Sequence, residues 1–426
     1  MRMRGMRRAA AWLAAALLAA AVCPAAAEKT ESDETPAAAM STEAAAESTE
    51  APEKAAVDIS DKCLYNGYQG GPKHKLNDGV YNNVYETGMR NGARAVEITV
   101  TEGEPIGAVY IQWAKDPLPV AVEVPTDDGG WMVIATGDGE FFADYIPVPE
   151  NRHCRIVCSF DPTMKLEISE MRVLTAGTPG PEIQVWQKPG KVDLMLIAGH
   201  PDDDLLWFGG ALPYYAGELK KDTLVVCCAM SRDLRRLELC DALWACGVRI
   251  HPIYLHLRDF SDTDPKKFIQ AWGGEERLNE IFTELYRRYK PDVVLLQDVN
   301  GEYGHGIHRA ASLFGRQCVE MAADPGLFPD SAARFGTWEV PKVYVHLWEE
   351  NQIRMDWKQP LEAFGGKTAL EAAQDALQYH KSQVVHGWAV QDGGDLDNSL
   401  FGLWHTTVGP DIEKNDFFEH IPSAKE

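Results

Sequence analysis

His200, Asp202, Asp203 and Asp204 fall within one segment, Ala198-Gly199-His200-Pro201-Asp202-Asp203-Asp204-Leu205-Leu206-Trp207-Phe208, and their side chains are of the types that bind and exploit a divalent metal. His200 offers a neutral nitrogen and Asp203 a carboxylate oxygen, both acceptable to zinc. Asp202 is then left to take a proton from a water that the metal activates. Asp204 has a plainer use, because an acid just after a strand accepts unpaired N–H groups of the next helix and suits its dipole. Catalytic zinc usually takes a third protein ligand. One is offered in Gly301-Glu302-Tyr303-Gly304-His305-Gly306-Ile307-His308, where His308 completes a His/Asp/His set and His305 stays available for acid or oxyanion duty. By itself a His-x-x-His pair in a glycine-rich loop is ordinary loop polarity; the upstream cluster is what gives it weight.

Both clusters follow short apolar runs, Val192 to Ala198 and Pro291 to Gln297. Such runs predict strands buried on both faces of a parallel sheet, whose carboxyl ends are where ligands bind in open α/β folds. Thr223 to Met230 predicts another strand. Helices are expected from Asp233 to Cys246, capped by Ser231 or Asp233 and stopped by Gly247, and from Glu275 to Tyr289, with Leu278, Ile281 and Leu285 on one face. The alternation predicts a Rossmann-like, mostly parallel α/β domain over residues 192–426.

The order and separation of the two polar segments resemble the zinc-dependent de-N-acetylase family of PIG-L/LmbE-like enzymes. That family includes the deacetylases of N-acetylglucosaminyl-phosphatidylinositol and of mycothiol and bacillithiol precursors. Its first signature reads His-Pro-Asp-Asp-Glu, against His200-Pro201-Asp202-Asp203-Asp204 here. Its second, Tyr-Gly-His-x-x-His, is matched by Tyr303 to His308, with Gly306-Ile307 replacing the common Pro-Asp. The resemblance implies zinc held by His200, Asp203 and His308, Asp202 as general base, His305 facing the oxyanion and Tyr303 helping to polarise the carbonyl. The products of that chemistry are acetate and a free amine.

Two more segments extend the likeness. Arg235 and Glu238 match an Arg-x-x-Glu carried on a helix in the family, which implies a substrate contact for Arg235; a surface salt pair at helical spacing is the alternative. Lys367 through His380-Lys381-Ser382-Gln383 resembles the family's C-terminal Lys and His-x-Ser-Gln, for which a structural role is expected. In one place the chain departs. Relatives carry a Thr-x-Gly loop after the second strand, and here there is only Met230-Ser231-Arg232, which puts the substrate side of the pocket in question.

The amino-terminal half points to export. Arg2, Arg4, Arg7 and Arg8 precede an apolar stretch from Ala9 to Val22 and then Pro24-Ala25-Ala26-Ala27, the layout of a signal peptide over residues 1–27 cleaved after Ala27. Cys23 invites lipoprotein anchoring, but Val22 before it is not the small residue such sites prefer. The stretch is short for a membrane span, and no other span is expected. Residues 28–57, built from Ala, Glu, Ser, Thr and Pro, cannot bury a core and read as an acidic tether. An Ala-rich helix is the competing reading.

Short β-type runs at Ala95–Val100, Gly107–Trp113, Val120–Val124 and Leu166–Val173 predict an all-β sandwich over 58–175. Lys75-Leu76-Asn77-Asp78-Gly79 and the last run resemble galactose-binding-like, discoidin-type jelly rolls. Tyr81, Tyr85 and Trp131 could stack on sugars, although isolated aromatics more often pack. Residues 176–191, with Pro179, Pro181 and Pro189, form the expected joint. Of nine cysteines, Cys63 with Cys154 or Cys158 is the expected bridge, while Cys227 and Cys228 are expected in the core.

A net charge of −23, from 64 acidic against 41 basic residues, argues against nucleic acid or anionic lipid as the main partner. A carbohydrate or glycoconjugate fits better. The expectation is thus an exported zinc hydrolase that deacetylates N-acetylated amino sugars. The alternatives are a glycan-binding surface protein with an inactive hydrolase domain, or a hydrolase of another small amide.

Overall fold

Residues 54–66 and 73–422 are described by a computed structural model. The segment 1–27 with Cys23, and most of the acidic stretch 28–57, lie outside them. The first part is β apart from a 3-10 turn at Ser60–Lys62 and the one-turn helix α1 (Lys73–Leu76). One antiparallel sheet contains, in spatial order, β1 (Cys63–Tyr65), β5 (Val96–Val100), β10 (His153–Cys158), β7 (Val120–Pro125) and β8 (Trp131–Gly137). The other contains β2 (Tyr85–Glu86), β11 (Glu167–Leu174), β6 (Ile106–Trp113) and β9 (Ala143–Asn151), and β3 (Met89–Arg90) pairs with β4 (Ala93–Arg94) as a small ribbon. Alternation sets the faces: Val96, Ile98 and Val100 of β5 are buried while Glu97 and Thr99 are not.

The expected bridge is absent. Cys63 on β1 and Cys154 on β10 both pair with β5, which runs between them. Two strand spacings put their Cα atoms roughly 10 Å apart, beyond disulfide reach. None of the described cysteines is bridged, and Cys227 and Cys228 are buried in the next sheet.

The second part alternates strands and helices: β12 (Leu194–Ala198), α2 (Asp203–Leu206), β13 (Thr223–Ala229), α3 (Leu234–Ala245), β14 (Ile253–Leu257), α4 (Pro265–Ala271), α5 (Glu275–Tyr289) and β15 (Val293–Leu296). Then come α6 (Gly306–Ala323), α7 (Pro329–Phe335), β16 (Lys342–His346), β17 (Gln352–Arg354), α8 (Ala369–Leu377), α9 (Lys381–Val384) and β18 (Leu400–Thr406). The sheet order is β14-β13-β12-β15-β16-β18-β17. Its first five strands are mutually parallel, and β18 runs antiparallel to both neighbours. Every residue of β12, β13, β15 and β16 is buried, which explains the unbroken apolar runs of β12 and β15; in β16 the buried ends Lys342 and His346 are polar and paired, with Asp411 and Glu302. From β12 the chain first builds outward through β13 and β14, then returns to the other side of β12 with β15. That reversal opens a crevice at the carboxyl ends of β12 and β15.

The β part and the α/β part share a core. Tyr110, Phe142 and Leu174 cluster with Leu237, Leu243 and Tyr254. The proline-containing segment between them is packed, with Trp186 edge-on to Trp244 at 5.2 Å and close to His251 at 5.6 Å. Across the same contact Tyr81 donates to Asp241 at 2.5 Å, and the Phe142 N–H donates to Nε2 of His251 at 3.0 Å. Asp233 does occupy the N-cap position of α3, but its carboxylate caps nothing; it pairs with Lys115 of the sandwich at 2.5 Å.

Candidate active site

The turn after β12 begins at Gly199, where any side chain would collide: a Cβ there would lie 2.7 Å from the His308 ring. The close approach brings the two loops of the crevice together. The Gly199 N–H donates to the Gln297 side chain at the end of β15 at 2.7 Å, tying one loop to the neighbouring strand. Asp202 takes a φ of 109°, a strained conformation for a residue with a side chain, and one that clusters at functional sites.

Three polar atoms converge here. Nδ1 of His200 lies 3.2 Å from Nε2 of His308, and Oδ2 of Asp203 lies 3.4 Å from the first and 3.1 Å from the second. Ligand bonds of about 2.1 Å in a tetrahedral site give donor separations of about 3.4 Å. The remaining polar atom of each side chain is already engaged, as a metal's outer partners would be. His200 Nε2 faces Asp259 at 3.4 Å, His308 Nδ1 faces the Gly301 carbonyl at 3.2 Å, and Trp207 donates to Asp203 Oδ1 at 2.8 Å. The group therefore fits a small divalent cation. His305 is close as well, since His200, His305 and His308 each bring a nitrogen within 4.8 Å of the others. The tighter spacing favours Asp203 over His305 as the third donor.

Electrostatics agree with a site built for positive charge. Burial opposes ionisation of His200, yet Asp203 and Asp259 hold its pKa up at about 9. Burial likewise works against the Asp203 carboxylate, and His308 and His200 outweigh it, keeping the pKa well below the usual range. Burial pushes Asp202 up, to about 7, against the pull of Arg235. His305 is lowered to about 4 by burial and by its two histidine neighbours. Its Nδ1 is buried without a partner, so a hydrogen-bonding group of a ligand would be welcome there.

Arg235 and Glu238 are no surface pair. Both are buried, and each serves a different loop. Arg235 donates to Asp202 Oδ1 at 2.7 Å and to the Pro201 carbonyl, while Glu238 accepts from the N–H of Ser382 at 2.8 Å and its hydroxyl at 2.6 Å. Asp204 departs from simple helix capping: it is fully buried, and its Oδ1 accepts the Asp202 N–H at 3.0 Å. Beneath it lies His380, with Nε2 3.9 Å from that oxygen. Burial raises the pKa of Asp204 to about 8 and lowers that of His380 to about 3, favouring the uncharged form of each.

A cavity of about 360 Å³ opens over the cluster, and its walls include Asp202, Ser231, Arg235, Asp259, Tyr303 and His305. Gln383, for which a structural role was expected, lines it too. Tyr303 is half exposed and lies edge-on to His308 at 5.2 Å. Asp259, Gln297, Trp207 and the buried Glu302–His346 pair at 2.8 Å are contributors that the sequence reading passed over. Glu302 also accepts the Asp298 N–H at 2.9 Å, bracing the loop that carries Tyr303 and His305. Asp259 had a signal of the same kind as His200, a polar residue just beyond a strand. It was hidden because β14 is an edge strand with a broken apolar pattern.

A buried cation-type cluster beside a braced carboxylate, at the carboxyl edge of a parallel sheet, is the arrangement of metal-dependent hydrolases. Residues 195–319, which run from β12 into α6 and hold the whole cluster, match the family described as PIG-L, GlcNAc-PI de-N-acetylase. A 1D-myo-inositol 2-acetamido-2-deoxy-α-D-glucopyranoside deacetylase of Catenulispora acidiphila is 27% identical over 280 residues, covering 55% of this chain and 84% of the relative. Another of that description, from Saccharopolyspora erythraea, is 28% identical over 237 residues, covering 49% and 85%. Among solved structures, the N,N'-diacetylchitobiose deacetylase of Pyrococcus horikoshii shows 18% identity and a TM-score of 0.36, over 45% of this chain and 70% of that one.

Proposed function

We propose that this chain is an exported, zinc-dependent hydrolase that removes the N-acetyl group from GlcNAc-type amino sugars of a glycan or glycoconjugate. The observation that carries the reading is the convergence of His200 Nδ1, Asp203 Oδ2 and His308 Nε2 at 3.1 to 3.4 Å beside Asp202. The relatives, named as deacetylases of an acetamido sugar, supply the substrate class. His200, Asp203 and His308 would hold the zinc, which when bound supplies Lewis acidity toward the acetamide carbonyl and toward water.

The protein's own groups do the rest. Asp202 accepts the proton of the attacking water and returns it to the departing amine; Arg235 holds the carboxylate in place, its Nη2 donating to both Asp202 Oδ1 and the Pro201 carbonyl. His305 and Tyr303, on the opposite loop, donate hydrogen bonds to the carbonyl oxygen as it gains charge. The fold is read as a Rossmann-like domain preceded by a jelly-roll sandwich of the galactose-binding-like type. Export rests on the basic residues 2–8 and the apolar stretch that follows.

The experiment is acetate release from N-acetylhexosamine substrates by the zinc-loaded protein and by Asp202→Asn, with metal content measured on both. Release by wild type alone, at equal zinc content, is the expected result. Stoichiometric zinc with no release from any of the sugars would remove the substrate assignment.

A further inference from the structure

Trp388 and Trp404 are the tryptophans left exposed among the described residues. Trp404 lies against Trp348 and beneath Arg316, away from the cluster. Trp388 stands at the mouth of the cavity, its ring centroid 5.3 Å from that of Tyr303 at a tilt of 36°, and edge-on to the buried Trp207 at 6.0 Å. Two exposed aromatic rings thus adjoin where the site meets solvent. The third aromatic on the rim, Phe260, is stacked on Phe268 at 4.0 Å and 8°, so that face of its ring is occupied.

The ring is presented on a fixed support. Trp388 follows a tight turn after α9, closed by the bonds His386 N–H to Gln383 O at 2.9 Å and Gly387 N–H to Val384 O at 3.0 Å. Gly387 takes a φ of 81°, which glycine alone adopts cheaply. The start of α9 is tied down in turn by Ser382 on Glu238 of α3. An exposed indole held this way loses little conformational entropy on binding.

The cavity volume, about 360 Å³, is near the lower end of the roughly 300–1,000 Å³ of small-ligand sites. One sugar ring over the cluster leaves little room inside, and whatever is joined to it extends toward solvent, where Trp388 and Tyr303 are the exposed aromatic rings of the lining. A pyranose has an apolar C–H face that gains by covering such rings. We propose that Trp388, with Tyr303 beside it, is a stacking platform for the ring attached to the amino sugar being deacetylated. The substrate class is then a saccharide of two or more rings rather than a free monosaccharide. This rests on the deacetylase reading above.

The test compares kcat/KM for N-acetylglucosamine and for N,N'-diacetylchitobiose in the zinc-loaded wild type, Trp388→Ala and Trp388→Phe. The expected result is a preference for the disaccharide that falls at least tenfold in Trp388→Ala, mainly through KM, and largely returns in Trp388→Phe. Binding is read separately as disaccharide-induced quenching of tryptophan fluorescence in Asp202→Asn, with and without Trp388→Ala. Quenching that needs Trp388, without acetate release by wild type, upholds the platform and removes the deacetylase reading alone. Acetate release with an unchanged substrate preference in Trp388→Ala overturns the platform and leaves the deacetylase reading standing. Neither binding nor release overturns both.

Discussion

Arg235 and Arg236 are consecutive residues of α3 whose guanidinium groups part in opposite directions. Arg235 turns into the site and holds Asp202 at 2.7 Å, whereas Arg236 turns to the sandwich and holds Asp116 at 2.8 Å and the Ala114 carbonyl at 3.3 Å. Arg236 also lies over the ring of Phe142 at 4.3 Å. The helix that braces the proposed base is therefore braced by the β part of the chain.

One consequence is cooperative unfolding. With Tyr110 and Phe142 of the sandwich in the same apolar cluster as Leu237 and Tyr254, neither half can open without exposing the other's core. Calorimetry should show a single transition. Arg236→Ala removes a nearly fully buried guanidinium with three partners and should cost about 2–3 kcal/mol, read as a lower urea midpoint. Two separated transitions would contradict the shared core.

Asp202→Asn should separate chemistry from metal binding. The amide keeps the shape and its bond from Arg235 but cannot take a proton, so kcat should fall by about 10²–10⁴-fold. Zinc content should stay at the wild-type level, because Asp202 is not among the three converging donors. His308→Ala, in contrast, should lose the metal as well as the activity.

Trp207→Phe tests the support of the metal donors. It deletes the N–H that holds Asp203 Oδ1 at 2.8 Å and leaves the ring's packing largely intact. Loss of such an outer partner should weaken zinc by about 10–100-fold, measured by competition with a chelator.

Acid should loosen the contact between the two parts through His251. It is buried against Phe141, Phe142 and Trp186, and its Nε2 must stay unprotonated to accept the Phe142 N–H. Burial lowers its pKa from 6.5 to about 3. Below pH 6.5 the unfolded chain binds a proton there that the folded chain refuses, so stability falls as pH drops from 6.5 toward 3, by at most about 1.4 kcal/mol per pH unit. His380 adds a similar slope. Asp202 and Asp204, raised to about 7 and about 8, tilt stability the other way over the same range, so the His251 contribution is read by difference: from pH 7 to pH 4.5 the urea midpoint of wild type should fall relative to that of His251→Asn.

What the sequence determined by itself is the framework of the site. Buried parallel strands are written as continuous apolar runs, and His200 to Asp204 and Tyr303 to His308 are joined covalently to the ends of two of them. Strand identity and loop position follow from local pattern, so the two clusters could be placed on one sheet edge before any contact was known. α5 was legible for the same reason, its apolar face repeating at helical spacing. Tertiary structure alone decided which partners those residues meet. Arg235 could have faced substrate, solvent or Glu238, and the packing of α3 between crevice and sandwich turned it onto Asp202. Asp259 reaches the cavity from the loop after β14, and Gln383 and Trp388 from α9 and the turn that follows it, segments whose paths depend on long-range packing rather than on any local period. The cysteines show the same limit: alternation buries Cys63 and Cys154 in one sandwich, but only the strand order reveals β5 standing between them.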